Sequence, residues 1–221
     1  MARGKPDPKR QPTNDEPVDV AEVRPTQGAS ELVRRAPGAW SLARPWSTRA
    51  GTVMLVLDHS TSMADPGKMP QLRRGAFKFF VEAVRRHYAV GAVAFASKTQ
   101  LLSTPSVDIP RFWRRLQRLK PYGRTRMARP LRIAQRRLRF RRGHRVIVLL
   151  TDGMPDDAEA TLAAARFIRD AGITLIPIGT GQADEAFLKT LAGRPELVHM
   201  TDLDGFSDAV AEVAGRLEQP Y

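Results

Sequence analysis

The sequence of 221 residues contains no cysteine. This absence excludes disulfide bonds and metal sites built from thiolates. No run of the sequence approaches the roughly 20 apolar residues of a membrane-spanning helix, and the first residues lack the apolar core of a signal peptide. We therefore expect a cytoplasmic protein without a membrane segment.

Acidic residues are absent from one long part of the chain, between Asp108 and Asp152. We call residues 111–145 the arginine-rich segment. Its positive charge is larger than the net charge of +13 of the whole chain. Its basic residues are Arg111, Arg114, Arg115, Arg118, Lys120, Arg124, Arg126, Arg129, Arg132, Arg136, Arg137, Arg139, Arg141, Arg142 and Arg145. Three interpretations stay open: a solvated surface, a site for an acidic protein, or a phosphate-contacting surface for nucleic acid.

The motifs of common phosphate-handling enzymes are also missing. There is no Gly-Lys-Ser/Thr phosphate loop, and the Gly179-Thr180-Gly181 turn lacks the third glycine of a dinucleotide site. Ser60 stands where a phosphatase with Asp58 as nucleophile needs a second carboxylate. His59, the histidine nearest to Asp58, is expected to face solvent or to support the site indirectly. These absences predict a protein that is not an enzyme.

The most informative feature that is present is an apolar run ending in Asp58-His59-Ser60-Thr61-Ser62. The carboxylate and two hydroxyls alternate, and the turn after a strand can aim all three inward. Such hard oxygen ligands suit Mg²⁺, with Mn²⁺ or Ca²⁺ as alternatives. The alternative role is structural, since Asp and Ser often bond the backbone at the end of a strand.

Two further clusters favour the metal interpretation. Asp152 follows the apolar run of residues 146–150, and Thr125 lies in a glycine-containing turn ahead of a helical stretch. Ligands in parallel sheets bind beyond the carboxyl ends of the strands. The clusters are therefore expected to meet at one edge of the sheet.

Together these segments resemble the von Willebrand factor A family, intracellular bacterial type, from Thr52 to Leu217. That family has a metal-ion-dependent adhesion site made of Asp-x-Ser-x-Ser, a distant Thr and a distant Asp. The resemblance implies metal roles for Asp58, Ser60, Ser62, Thr125 and Asp152. It also implies one coordination position left open for an acidic group of a partner. Thr61 and Arg124 depart from glycines that are common in the family, but neither change removes a ligand.

Short apolar runs alternate with helical patterns along the chain, which predicts an α/β fold. We expect a Rossmann-like, doubly wound, mostly parallel central sheet with one antiparallel edge strand and helices on both faces. The predicted strands are Thr52–Asp58, Ala89–Ala96, Thr99–Ser103, His144–Leu150, Ile173–Ile178 and Leu197–Met200. The predicted helices are Pro70–His87, Met127–Phe140, Asp157–Ala171, Asp184–Leu191 and Gly205–Leu217.

The domain organisation follows from composition. Residues 1–28 are rich in proline and charge without aromatic residues, which predicts a disordered tail. Residues 29–50 include Trp40 and Trp46 and are predicted to pack on the domain as an extension, with a peptide anchor for another protein as the alternative. Residues 51–221 are predicted to form the von Willebrand factor A-like domain.

The resemblance implies a non-catalytic adaptor that binds Mg²⁺ and recognises an Asp or Glu of a protein partner. By analogy with intracellular members, the partner is expected in a multi-protein complex, such as a MoxR or chelatase-type ATPase or a kinase or phosphatase system. The alternative is a basic nucleic-acid-associated protein that uses the arginine-rich segment and has a structural metal site. A hydrolase with an unrecognised site ranks last.

Overall fold

The computed structural model describes residues 50–181 and 183–217. The predicted tail of residues 1–28 lies outside the described residues. So does the predicted extension of residues 29–50, apart from Ala50. Within the described part, Ala50 joins the fold by donating its backbone N–H to the carbonyl of His87 at 3.2 Å.

A six-stranded sheet forms the centre of the domain. Its strands are β1 Gly51–Asp58, β2 Tyr88–Phe95, β3 Thr99–Ser106, β4 His144–Thr151, β5 Thr174–Thr180 and β6 His199–Thr201. The order across the sheet is β3-β2-β1-β4-β5-β6, and β3 pairs antiparallel with β2 at one edge while the other neighbours are parallel. The predicted Rossmann-like sheet with one antiparallel edge strand is confirmed.

Helices cover both faces of this sheet, as predicted. They are α1 Lys68–Arg85, α2 Ile109–Leu116, α3 Ala128–Leu138, α4 Ala158–Asp170, α5 Glu185–Ala192 and α6 Phe206–Gly215. Helix α1 packs against α2 and α6 on one face, and α4 packs against α3 and α5 on the other. Among the described residues, no helix combines the length and apolar composition needed to cross a bilayer.

Strand β1 supplies apolar side chains to both layers because all its residues are buried and successive side chains alternate in direction. Met54 and Val56 join a cluster that includes Leu131 of α3 and Ile168 of α4. On the other face, the ring of Phe80 in α1 stacks on Phe112 of α2 at 4.5 Å between centroids.

The sequence patterns missed α2, which begins two residues before the arginine-rich segment and overlaps its first residues. Asp108 caps this helix by accepting a hydrogen bond from the backbone N–H of Arg111 at 3.0 Å, and Pro110 lies in the first turn. The strand predicted for Leu197–Met200 is also shifted. A 3₁₀ turn at Pro195–Leu197 precedes β6, which pairs with only the last three residues of β5.

The parallel register of β1 and β4 positions the predicted site. Leu57 pairs with Leu150, so the chain leaves both strands at the same edge of the sheet. Asp58 ends β1 and Asp152 directly follows β4. A 3₁₀ turn at Thr61–Ala64 then leads from this edge into α1, which keeps the serine-containing turn beside Asp152.

Candidate metal centre

Asp58 is fully buried at the end of β1, with 0% of its surface exposed. Its Oδ1 accepts a hydrogen bond from the backbone N–H of Ser60 at 2.8 Å, and its Oδ2 accepts one from the Thr151 hydroxyl at 2.7 Å. Burial raises the pKa of Asp58 to about 6, and the nearby charge of Asp152 adds to this effect although the hydrogen bonds oppose it. The carboxylate therefore lies in a fixed position but lacks a compensating positive charge.

The two serines connect Asp58 to Asp152. The hydroxyl oxygens of Ser60 and Ser62 are 3.0 Å apart, and the Ser62 hydroxyl donates to Oδ1 of Asp152 at 2.7 Å. Ser60 and Asp152 are buried, whereas Ser62 is exposed. The cluster is thus enclosed on the sheet side and opens to solvent at Ser62.

Thr125 reaches this edge on a loop that backbone hydrogen bonds hold in place. The carbonyl of Gly123 accepts both the backbone N–H of Thr61 at 3.0 Å and the Thr61 hydroxyl at 2.9 Å. Further along the same loop, the Thr125 N–H donates to the carboxylate of Asp156 at 2.8 Å. The Thr125 hydroxyl itself makes no hydrogen bond to another described residue, so four of the five predicted ligands form a connected network and the fifth lies beside it.

A lysine not predicted from the sequence enters the cluster from the start of α1. Lys68 donates through Nζ to Oδ2 of Asp152 at 2.8 Å and to the Ser62 carbonyl at 3.1 Å, and it pairs with Asp65 at 2.8 Å. Burial disfavours its charge, but the bonds to Asp152 and Asp65 outweigh burial and raise the pKa of Lys68. Its ammonium group is therefore a cation already present beside the oxygen ligands.

His59 is buried, which rules out the first of its two expected positions, facing solvent, and leaves the second, indirect support of the site. Its Nδ1 bonds the carbonyl of Lys120 at 2.9 Å, and its ring meets Tyr122 edge-on at 5.0 Å between centroids. Its backbone N–H donates to the carbonyl of Phe95 at 2.9 Å. Burial lowers the pKa of His59 and favours the neutral ring. The residue joins the ends of β1 and β2 to the loop that carries Thr125.

The oxygen positions fit a small divalent cation. Neighbouring ligands of an octahedron lie about 3.0 Å apart when each is about 2.1 Å from Mg²⁺. The Ser60–Ser62 and Ser62–Asp152 separations of 3.0 and 2.7 Å are hydrogen-bond lengths that are also compatible with such edges. In residues 50–181 and 183–217, no group of three or more His, Cys, Asp or Glu side chains is arranged to hold a metal. A cation at this edge would therefore depend on hydroxyl ligands as well as on the two carboxylates.

The family model for the von Willebrand factor type A domain matches residues 52–214, which include all six strands apart from Gly51 and the cluster at the edge of the sheet. The chain belongs to the von Willebrand factor type A family. Over 64 residues it is 38% identical to the collagen alpha-5(VI) chain of Mus musculus, a match that covers 28% of this chain. The chain spans only 2% of that relative, so the relationship is limited to one domain.

Solved structures share the fold of this von Willebrand factor type A domain. The corresponding domain of the type V pili tip protein Mfa5 from Porphyromonas gingivalis has a TM-score of 0.71 at 12% identity, covering 79% of this chain and 98% of that one. Proximal thread matrix protein 1 from the mussel byssus, with zinc in its MIDAS motif, has a TM-score of 0.62 at 19% identity. That match covers 76% of this chain and 46% of the mussel chain.

Three residues of the domain support the cluster without being predicted from the sequence. Thr151 orients Asp58, Asp156 holds the Thr125 loop, and Lys68 bonds Asp152. Thr151 and Asp156 lie within four residues of Asp152. Because both are polar and stand at or after the end of a buried strand, the sequence could have indicated that they support the site. Lys68 had no such signal, because its contact depends on where α1 begins in space.

Proposed function

We propose that this von Willebrand factor type A domain is a non-catalytic module for metal-dependent protein recognition. Its residues Asp58, Ser60, Ser62, Thr125 and Asp152 would hold Mg²⁺, directly or through water. When bound, the cation supplies positive charge and an open coordination position for a carboxylate of the partner.

The carrying observation is the spacing of the oxygen atoms around Ser62. Its hydroxyl lies 3.0 Å from that of Ser60 and 2.7 Å from the Asp152 carboxylate, which suits adjacent ligands of one small cation. The exposure of Ser62 gives a partner access to the same point. A solved structure of similar fold with zinc in its MIDAS motif supports a divalent ion in this position.

Hydrogen bonds from the surrounding residues orient the candidate ligands. Asp58 accepts from Ser60 and Thr151, so its carboxylate is oriented before a cation arrives. The bonds of Thr61 to Gly123 hold the Thr125 loop against the serine turn. Preorganised ligands of this kind reduce the ordering cost of metal binding.

The partner in this proposal is a protein that presents Asp or Glu to the metal. An adaptor role in a larger assembly, such as one with a MoxR or chelatase-type ATPase or a kinase or phosphatase, extends the proposal by family analogy. The cytoplasmic compartment stays a prediction.

Affinity capture from the native cell with Mg²⁺ tests the function. Wild type is compared with Asp58→Asn, with an EDTA wash, and with Asp170→Ala as a control at an exposed carboxylate on α4. We expect the same proteins to be lost with Asp58→Asn and with EDTA but retained with Asp170→Ala. An unchanged set of proteins in all four samples would contradict metal-dependent recognition.

A further inference from the structure

A cleft lies between the start of α3, the β2–β3 turn and the start of α4. Its volume is about 360 Å³. Its lining residues are Ser97, Thr99, Arg126, Ala128, Arg129, Arg132, Arg136, Asp157 and Ala160. This volume falls within the roughly 300 to 1,000 Å³ that ligand sites commonly have.

Four arginines make this cleft positively charged. Arg126, Arg129, Arg132 and Arg136 are all exposed, and three of them repeat along one side of α3. In the described part of the chain, none of the four lies within ion-pair distance of a carboxylate. Their guanidinium groups are therefore available to an external anion.

The one acidic residue of the lining forms no ion pair with these arginines, and its single negative charge offsets only one of their four positive charges. Asp157 accepts the backbone N–H groups of Met127 at 2.9 Å and Ala128 at 3.2 Å. It also accepts the Thr161 hydroxyl at 3.0 Å. Asp157 thus anchors the start of α3 and leaves the cleft strongly positive.

The spacing of the arginines suits an extended ligand with several charges. Arg129 and Arg136 are seven positions apart on α3, which corresponds to about 10 Å along the helix. About three residues of an extended peptide cover the same length. Each guanidinium can bind a carboxylate through two parallel hydrogen bonds.

The cleft adjoins the loop that carries Thr125, one of the candidate metal ligands. Arg126 directly follows Thr125, and the hydroxyl of Ser97 in the cleft accepts the backbone N–H of Arg124 at 2.8 Å. One peptide segment that presents a carboxylate to the candidate metal centre would therefore have the cleft beside it.

We propose that this arginine cleft binds an acidic peptide segment of the protein partner. The contact with the cleft rests on its own arginines, whereas the joint engagement of cleft and metal rests on the proposed function. The partner is then defined by chemistry as a protein with clustered Asp or Glu residues, one of which reaches the metal.

The lining favours a peptide over nucleic acid. Single-stranded nucleic acid is commonly held by aromatic side chains on which bases stack. The cleft contains no aromatic residue, and its Ser97 and Thr99 hydroxyls offer hydrogen bonds to a peptide. Carboxylates along a peptide match the four arginines of the cleft in charge.

The test measures binding of a fluorescein-labelled peptide of ten glutamates to the full chain by fluorescence polarisation, with Mg²⁺ present. The double variant Arg129→Gln/Arg132→Gln is compared with Arg111→Gln/Arg114→Gln, which removes the same charge from exposed positions of α2. We expect the cleft variant to lose about tenfold in affinity and the α2 variant less than about twofold. Circular dichroism melting checks that both variants fold.

Equal losses of peptide affinity in the two double variants would overturn the proposal that the cleft is the binding site, because net charge alone would then explain binding. Tighter binding of an oligothymidylate of ten nucleotides, with the same dependence on Arg129 and Arg132, would also overturn it in favour of nucleic acid. EDTA and Asp58→Asn separate the two proposals. If neither weakens peptide binding while the cleft variant does, the cleft is supported and joint engagement with the metal is contradicted.

Discussion

At the scale of single residues, the burial of Asp58 makes ionisation of its carboxyl group unfavourable. Its pKa is about 6 in the folded protein and 3.8 as the ordinary value, so the folded state binds the proton more tightly. Tighter proton binding stabilises the folded state fully below about pH 3.8. This stabilisation is lost as the pH rises through about 6. In the metal-free protein, ionised Asp58 is therefore destabilising at neutral pH.

We predict that Asp58→Asn stabilises the metal-free protein at about pH 8 by roughly 1 to 3 kcal/mol, with a smaller gain at about pH 5. An amide can still accept from the Ser60 N–H and can donate to the Thr151 hydroxyl, which also bonds the Gly153 carbonyl at 3.2 Å. Urea unfolding in EDTA measures the effect, with the exposed Asp170→Asn as control. A gain that is equal at both pH values would contradict the assignment to the Asp58 charge.

In the proposed metal centre, Lys68 would oppose metal binding in two ways. Its ammonium group bonds Oδ2 of Asp152 at 2.8 Å and places a positive charge beside the ligands. We predict that Lys68→Met raises Mg²⁺ affinity by about fivefold or more, as measured by isothermal titration calorimetry. Lys78→Met is the matched control, because Lys78 lies on the same helix and pairs with Asp208 at 2.6 Å. Weaker Mg²⁺ binding by Lys68→Met would instead show that the lysine holds Asp152 in place.

At the scale of elements, the Asp157 carboxylate connects the start of α3 to the start of α4 through hydrogen bonds. Asp157 precedes α4 but accepts the first N–H groups of α3, from Met127 and Ala128. We predict that Asp157→Ala lowers the free energy of unfolding by about 1 to 2 kcal/mol, because it leaves helix N–H groups without partners. Asp170→Ala removes an exposed carboxylate from the other end of α4 and should change stability by less than about 0.5 kcal/mol. Similar losses in chemical denaturation of both variants would contradict the capping role.

Most elements could be predicted from the sequence because their apolar patterns are strong. Strand β1 is a continuous apolar run, and the turn at Ser97 joins two strands that pair antiparallel as predicted. Helix α2 was missed because arginines interrupt its apolar residues, although Asp108 and Pro110 were a usable start signal. Strand β6 was displaced because three residues carry almost no pattern.

The site was predicted less completely than the fold. Parallel pairing brings Asp58 and Asp152 to one edge, and this follows from two apolar strands with polar ends. The bond from Lys68 to Asp152 joins positions 84 residues apart and depends on the path of the serine turn. The burial of His59 depends in the same way on a tertiary contact with Lys120. Local sequence patterns contain no information on such contacts.

At the scale of the whole molecule, the candidate ligands come from three separate parts of the chain. Asp58, Ser60 and Ser62 follow β1, Thr125 precedes α3, and Asp152 follows β4. Only the folded domain brings these oxygens together, so a cation that needs them binds the native state and not the unfolded chain. Metal binding should therefore stabilise the whole fold by mass action.

We predict that Mg²⁺ at about ten times its dissociation constant stabilises the domain by about 1.4 kcal/mol. For a chain of this size that stabilisation raises Tm by about 3–6 °C, measured by scanning calorimetry against EDTA. Ser62→Ala should lose most of this shift, because it removes the hydroxyl between Ser60 and Asp152. Ser103→Ala is the matched control, since its buried hydroxyl lies on β3 and has no partner within the described residues. An equal Mg²⁺ shift in both serine variants would place the cation away from this edge of the sheet.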